Sequence, residues 1–329
     1  MKRWVQLLSV CIVLASCSNL VTFSGDRKEP VVPVQSAPET KQVAAPLEQS
    51  NGTLTTLVRD GKALQYYALE PLATKVAFLT FDDFGSAQNL NEILTVLDTY
   101  GAKATFFINC RYLDPTNPLY SETYVRWMRR LQTKGHTIAN HSYSHFSQGT
   151  YYYNYYRDNP VIGPDGKYKP PPNSAAQAYT YHYGYPTGLT MLRNEIDACD
   201  NILNAHKIPA YDPIFRPPYG EHVPLLDIAL AQAGYSTTQV LNWDISTCDF
   251  GTNSTTALHI KDAIVNGVIP PACTGNNPTT TRPLRHSDVV LMHWSTNAAN
   301  NTAEGLALAL AELAGEFSFP ALQNEATDY

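Results

Sequence analysis

Five short stretches carry the residues that could do chemistry. Asp82-Asp83 sets two carboxylates side by side. Adjacent like charges disfavour each other's ionised form, so the pair is costly unless a cation neutralises it. A helix-capping turn is the plain alternative. His141-Ser142-Tyr143-Ser144-His145 places two imidazoles four residues apart, close enough to converge on one ion. Phe215-Arg216-Pro217-Pro218-Tyr219-Gly220 is a proline-stiffened loop with one guanidinium. Trp243-Asp244 with Asp249, and Leu291-Met292-His293, complete the set. Each piece has an ordinary structural reading when taken alone. Together they suggest more: two His and one carboxylate leave open positions on a metal, the layout of a catalytic zinc site. A second carboxylate beside such a site can act as a base towards water.

Something must bring these stretches together. From residue 74 apolar runs of buried-strand type alternate with helix-period patterns. Strands are expected at 76–81, 104–108, 136–140, 214–216, 238–243 and 289–293. Between them Leu90, Ile93, Leu94 and Leu97 stop at Gly101, and Val125, Met128 and Leu131 stop at Gly135. Leu189, Leu192, Ile196, Cys199 and Leu203 mark the next helix, followed by helices at 224–233, 255–265 and 302–316. Alternating strands and helices imply a parallel sheet covered by helices. The number of units suits an α/β fold of the distorted, incomplete (β/α)7-barrel type. In such barrels polar groups at the C-terminal strand ends are placed for chemistry, and all five stretches follow strands.

In that order and on those strands, Thr80-Phe81-Asp82-Asp83, His141-Ser142-x-x-His145, Arg216 to Gly220, Trp243-Asp244…Asp249 and Leu291-x-His293 resemble the polysaccharide deacetylases of carbohydrate esterase family four. The likeness spans about residues 74–316. It implies a metal-dependent hydrolase that removes N-acetyl groups from GlcNAc units of a polysaccharide. By the same resemblance Asp82 is the base, and Asp83, His141 and His145 hold a divalent metal. Zn²⁺ is expected, with Co²⁺ or Ni²⁺ also compatible with such donors. Arg216 would hold Asp82, the Tyr219 N–H would stabilise an oxyanion, and His293 would be the acid. Leu291 would line the acetyl pocket, with Tyr219, Trp243, Asp249 and Phe84 around the substrate.

Three positions depart from the family's usual pattern. Phe84 stands in place of Gly, Ser246 in place of Asp and Phe250 in place of Trp. A serine can orient an imidazole but cannot stabilise its charge, so His293 is expected to be a weaker acid unless Asp244 or Asp249 substitutes. An insertion at 146–188 holds ten of the chain's 21 tyrosines. Tyrosine rings suit stacking on sugar faces, and they suit equally a lid packed on itself.

The remaining sequence bears on address and partners. Lys2 and Arg3 precede a short apolar run ending Leu14-Ala15-Ser16-Cys17. That pattern reads as a signal peptide over 1–16 and resembles a lipoprotein box with lipid on Cys17. Residues 17–50, with four prolines and no apolar period, read as a disordered tether. Residues 51–73 form a lead-in without a clear element, 74–319 the catalytic domain and 320–329 a tail. An envelope location is expected, lipid-anchored to the outer membrane. The formal charge is −6, and removing residues 1–16 takes two cations and no anions, giving 21 − 29 = −8. A nucleic-acid partner is disfavoured, because it needs a basic face. A monomer is expected, acting on peptidoglycan first and chitin-type oligosaccharide second. Cys110, Cys199, Cys248 and Cys273 allow three pairings, with Cys248–Cys273 favoured and free thiols the alternative. Two other functions fit the motifs: a sugar O-acetyl esterase, and a metal-stabilised glycan-binding protein with little catalysis.

Overall fold

Parallel strands covered on both faces need apolar side chains on both sides, and four segments meet that requirement with every residue buried. They are β4 (Phe78–Asp82), β5 (Ala104–Ile108), β6 (Thr137–Asn140) and β8 (Val289–His293). The structure is a computed structural model that describes residues 54–59, 62–68, 75–145, 188–208, 214–222, 224–235, 240–250, 255–268, 282–294 and 301–322. The expected signal peptide, Cys17, the tether, residues 146–187 of the insertion, Cys273 and residues 323–329 lie outside them.

With β7 (Ile245–Ser246), the four strands form one parallel sheet in the order β6-β5-β4-β8-β7. Beyond β6 the pairing continues through single bridges, Asn140 to Phe215 and Phe215 to Val240. Residues 240–246 therefore serve both edges. The Leu241 N–H donates to the Phe215 carbonyl at 2.9 Å, and the Asp244 N–H to the Val289 carbonyl at 2.9 Å. This one segment draws the sheet into the distorted, incomplete barrel expected from the sequence. Expected strands 214–216 and 238–243 are reduced to these bridges among the described residues, because the segment bends to reach both neighbours.

Alternation along each strand sorts its side chains. Leu79, Phe81, Phe106, Ile108, Val290 and Met292 face outward. They pack on α1 (Ala87–Thr99), α2 (Glu122–Thr133), α5 (Ala257–Asn266) and α6 (Asn301–Leu313). Phe78, Phe107, Leu241, Val289 and Leu291 share a second cluster, inside the barrel. The same alternation puts Thr80 and Asp82 of β4, and His293 of β8, on the interior side. Helices α3 (Gly188–Ala205) and α4 (Pro224–Gln232) cover Phe215 and Val240 in a third cluster. Ser86, Ser121 and Thr256 cap α1, α2 and α5 with their side-chain oxygens.

The lead-in region is not featureless. β1 (Leu54–Arg59) and β2 (Lys62–Tyr67) pair antiparallel from Leu54↔Tyr67 to Arg59↔Lys62. The two residues between them in sequence are Asp60-Gly61, a common two-residue hairpin signal. Leu64 and Tyr66 of β2 join the interior cluster, and the Tyr66 ring meets Phe78 edge-on at 5.6 Å. Tyr66 also bridges to Leu322, which is fully buried. The domain boundary expected at 319 thus falls inside packed chain. Short β3 (Lys75–Val76) pairs in parallel with β9 (Phe317–Ser318) beside this closure. The strand expected at 76–81 is divided between β3 and β4.

Cys110 and Cys199 form a disulfide across 89 residues. Cys248 is disulfide-bonded as well. Free thiols are therefore not the state of these three. Among the described residues no helix is long and apolar enough to cross a membrane.

If the hairpin closes one end of the barrel, Leu64→Ala should leave a cavity there. The expected loss is about 2–5 kcal/mol of unfolding free energy, measured by urea denaturation.

Candidate active site

Asp82 ends β4 on the interior side, 3% exposed. A buried carboxylate needs a hydrogen-bonded partner to offset its desolvation. Arg216 is that partner: Nη1 donates to Asp82 Oδ1 at 2.7 Å and to Thr80 Oγ1 at 2.7 Å. Its Nε donates to the Leu241 carbonyl at 2.9 Å. The guanidinium lies 4.0 Å over the Phe107 ring, with the Trp243 ring at 5.8 Å. Planarity and fixed donors allow this packing, which lysine would not reproduce.

Asp83 follows the strand with φ 70°, in the left-handed region. Strand alternation would send its side chain away from that of Asp82, and the left-handed turn accompanies its approach to the histidines. Asp83 Oδ1 accepts from Asn109 Nδ2 at 2.9 Å. His145 Nε2 stands 3.2 Å from that oxygen and His141 Nε2 3.8 Å. One donor atom from each of the three residues lies within 4.8 Å of the others. Donors about 2.0–2.2 Å from a tetrahedral ion stand roughly 3.3–3.6 Å apart, so this set fits a divalent metal. The His141 tautomer fits too. Its Nδ1 lies 2.7 Å from the Arg216 carbonyl, which can only accept, so Nδ1 carries the proton and Nε2 keeps its lone pair. Burial, reinforced by His145, lowers the His141 pKa to about 3 and holds the ring neutral. Ser142, His145 and Tyr219 share the left-handed conformation, at φ 70°, 59° and 60°. Non-glycine residues rarely adopt it, and its concentration at one cleft marks a site held in place by its surroundings.

His293 pairs with Asp82 in the β4–β8 register, so the two interior side chains stand on neighbouring strands. Its Nδ1 is 2.9 Å from Asp249 Oδ1, and its backbone N–H donates to Asp249 Oδ2 at 2.8 Å. Thr302 Oγ1 donates to that second oxygen at 2.8 Å. Burial alone would lower the His293 pKa. The charge and hydrogen bond of Asp249, joined by the charges of Asp83 and Asp82, outweigh it and raise the pKa to about 9. Of the two carboxylates that could stand in for the one Ser246 lacks, Asp249 is the one that reaches His293. Ser246 instead contacts Cys248, and Asp244 accepts the Val289 N–H at 2.8 Å.

Four residues expected around the substrate have structural duties. Asp249 is buried and occupied with His293 and Thr302. Trp243 is 7% exposed and packs beside Arg216. It also explains Gly220, where a Cβ would meet Trp243 Cη2 at 2.6 Å and φ is 67°. Phe84 turns into an aromatic cluster with Tyr112, Tyr124 and Trp294, at 5.1–5.5 Å between centroids. Trp294 Nε1 in turn donates to the Asp83 carbonyl. Leu291 is 3% exposed within the interior cluster. Exposed aromatics stand elsewhere: Tyr219 lies 4.7 Å from the His145 ring and Phe250 lies 5.2 Å from the His293 ring. The sequence reading missed Asn109 and Thr302, whose parts depend on contacts that no local motif encodes, and gave Thr80 no part beyond its place in the first motif.

Residues 70–161 match the family described as polysaccharide deacetylase. The matched stretch contains Asp82, Asp83, His141 and His145. A peptidoglycan-N-acetylglucosamine deacetylase of Bacillus cereus is 28% identical over 210 residues, covering 64% of this chain and 54% of the relative. A chitin disaccharide deacetylase of Vibrio alginolyticus is 34% identical over 93 residues, covering 28% of this chain and 21% of the relative. The chain thus spans about half the length of the first relative and about a fifth of the second. Among solved structures, a family 4 carbohydrate esterase from Streptomyces lividans in complex with acetate is similar. Its identity is 20% and its TM-score 0.47, over 77% of this chain and all of that one.

Asp249→Asn should remove the largest upward influence on His293 and leave burial opposed only by the charges of Asp83 and Asp82. The imidazole pKa, followed by NMR titration, should fall from about 9.

Proposed function

We propose that the chain is a metal-dependent polysaccharide deacetylase of carbohydrate esterase family four. Its reaction is hydrolysis of N-acetyl groups on GlcNAc units of a glycan. The observation that carries this reading is one cleft holding Asp82 paired with Arg216 at 2.7 Å, the three-donor set of Asp83, His141 and His145, and His293 paired with Asp249 at 2.9 Å. Peptidoglycan is the first substrate, because the Bacillus cereus relative is named for it, and chitin-type oligosaccharide is the second. Zn²⁺ is the proposed ion, on the chemistry of two imidazoles and a carboxylate.

An amide resists hydrolysis because its carbonyl is weakly electrophilic and its amine leaves poorly. When bound, a divalent ion supplies Lewis-acid polarisation of the carbonyl and acidifies water in its open positions. The chain does the rest. Arg216 fixes the Asp82 carboxylate, which is assigned to take a proton from the attacking water. The backbone N–H of Tyr219 is assigned to the developing oxyanion. His293, charged through Asp249, delivers a proton to the departing amine. Leu291 is assigned to the wall behind the acetyl methyl. The Asp249 contact supports this reading over the binding-protein alternative, since His293 keeps the carboxylate that Ser246 lacks.

The N-terminal sequence supports export and lipid attachment at Cys17, with the protein tethered in the cell envelope beside its substrate. The chain is proposed to act as a monomer.

Acetate release from N-acetylated peptidoglycan and chitooligosaccharide, using the full chain with Zn²⁺, tests the reading. Asp82→Asn and His293→Ala should each lower the rate by about 10²–10⁴. A chelator should abolish activity and added Zn²⁺ should restore it. The rate should also fall as pH rises through about 9, where His293 loses its proton. No acetate from any substrate, or full activity in Asp82→Asn, would end the proposal. Release from an O-acetyl ester alone would replace it with the esterase reading.

A further inference from the structure

We propose that Glu195 is a positioning residue for the metal site, acting through the loop that carries both histidines. The inference rests on the metal reading above and names a residue that the motifs do not contain.

The loop 141–145 must hold two imidazoles to within tenths of an ångström while two of its residues, Ser142 and His145, sit in the left-handed region. Left-handed backbone at non-glycine residues persists only where neighbours over-determine it. Several constraints are local or come from the turn after β5. Asn140 Oδ1 accepts the Ser142 N–H at 2.8 Å, and Ser142 Oγ accepts the His145 N–H at 3.1 Å. The Cys110 and Arg111 N–H groups donate to the carbonyls of Ser142 and Tyr143 at 3.1 and 2.9 Å.

The opposite side of the loop is held by one residue of α3. The Glu195 carboxylate accepts the Ser144 N–H at 2.7 Å with Oε2 and the Ser144 hydroxyl at 2.8 Å with Oε1. Its backbone carbonyl accepts the Tyr143 N–H at 3.0 Å. Three hydrogen bonds thus bind the two residues just before His145 to a single helical position. Two of them are charge-assisted and form a fork, so they fix orientation as well as distance.

Glu195 is itself anchored. Cys199, one turn further along α3, is disulfide-bonded to Cys110. Cys110 directly follows Asn109, whose amide holds Asp83 Oδ1. Asn140 Nδ2 reaches α3 as well, at the Ile196 carbonyl and Asp200 Oδ1. One cross-linked unit therefore carries the support of Asp83 on one side and of His145 on the other. Partners of this kind behind metal ligands typically contribute about 10–100-fold in affinity.

The test uses the full chain loaded with Zn²⁺ or Co²⁺. Zinc affinity is measured by competition with a chromophoric chelator, and ligand geometry by the visible absorption of the Co²⁺ form. Glu195→Ala should bind zinc about 10–100-fold more weakly, with altered Co²⁺ absorption. Glu195→Gln keeps an acceptor for the Ser144 N–H and should recover most of the affinity. A Glu195→Ala protein that is less heat-stable yet keeps wild-type zinc affinity and Co²⁺ absorption would reduce Glu195 to a structural part and overturn the inference. Should that variant not fold, Ser144→Ala decides, since it deletes one of the three bonds: weaker zinc binding supports the inference and unchanged binding overturns it. Failure of the wild-type chain to bind either ion would remove the metal reading and this inference with it. Failure confined to the variants removes this inference alone.

Discussion

Two carboxylates on consecutive residues cannot both remain charged in a closed cleft unless each has its own counterpart. The interior is arranged around that constraint. Arg216 belongs to Asp82, and its position is set by Thr80 below, Leu241 beside and Phe107 against its plane. Asp83 lies past the strand end, where the left-handed turn accompanies its approach to the imidazoles. A carboxylate facing the ring nitrogens of His141 and His145 is the donor arrangement of a cation site. The raised pKa of His293 belongs to the same balance, because both carboxylates add to the pull of Asp249.

The segment 240–250 connects these charges to the architecture. Its first residues pair with Phe215, the next with Val289 and β8, and its end delivers Asp249 to His293. Trp243 lies between, supporting Arg216 and requiring glycine at 220. Barrel closure and tuning of the acid are thus properties of one stretch of chain. This explains how Ser246 can stand where the family's usual pattern has a carboxylate. The imidazole requires a buried anion at its Nδ1, and a different residue of the same stretch provides one.

Much of this was legible in the sequence because it is periodic or local. Strands buried on both faces appear as unbroken apolar runs, and the helices stop near the glycines at 101, 135 and 234. The Asp-Asp and His-x-x-x-His pieces are short enough to be seen whole, and the coordinates bring Asp83, His141 and His145 together. What was not legible depends on contacts between distant residues. The strands Leu54–Arg59 and Lys62–Tyr67 lack a clean alternation, so they do not stand out in the sequence although Asp60-Gly61 signals a turn. Phe84 reads as a cleft residue by its place in the motif, but three aromatic neighbours from elsewhere in the chain draw it aside. Cysteine spacing could not choose the Cys110–Cys199 pairing, which follows from the contact of α3 with the turn after β5. Glu195 carries no motif, and its three bonds to Tyr143 and Ser144 appear only in three dimensions.

The hairpin also sets the direction of traffic. Leu64, Tyr66 and Leu322 stopper the barrel beneath Phe78, at the ends of the strands remote from the chemistry. Among the described residues the exposed rings of Tyr219 and Phe250 mark the opposite end, and in the proposed reaction water, sugar and product would pass there. A glycan seated across that end would block the exit of whatever small molecule had just been released behind it. Departure of the long chain, or at least its sliding aside, would then have to come before the cleft could be refilled.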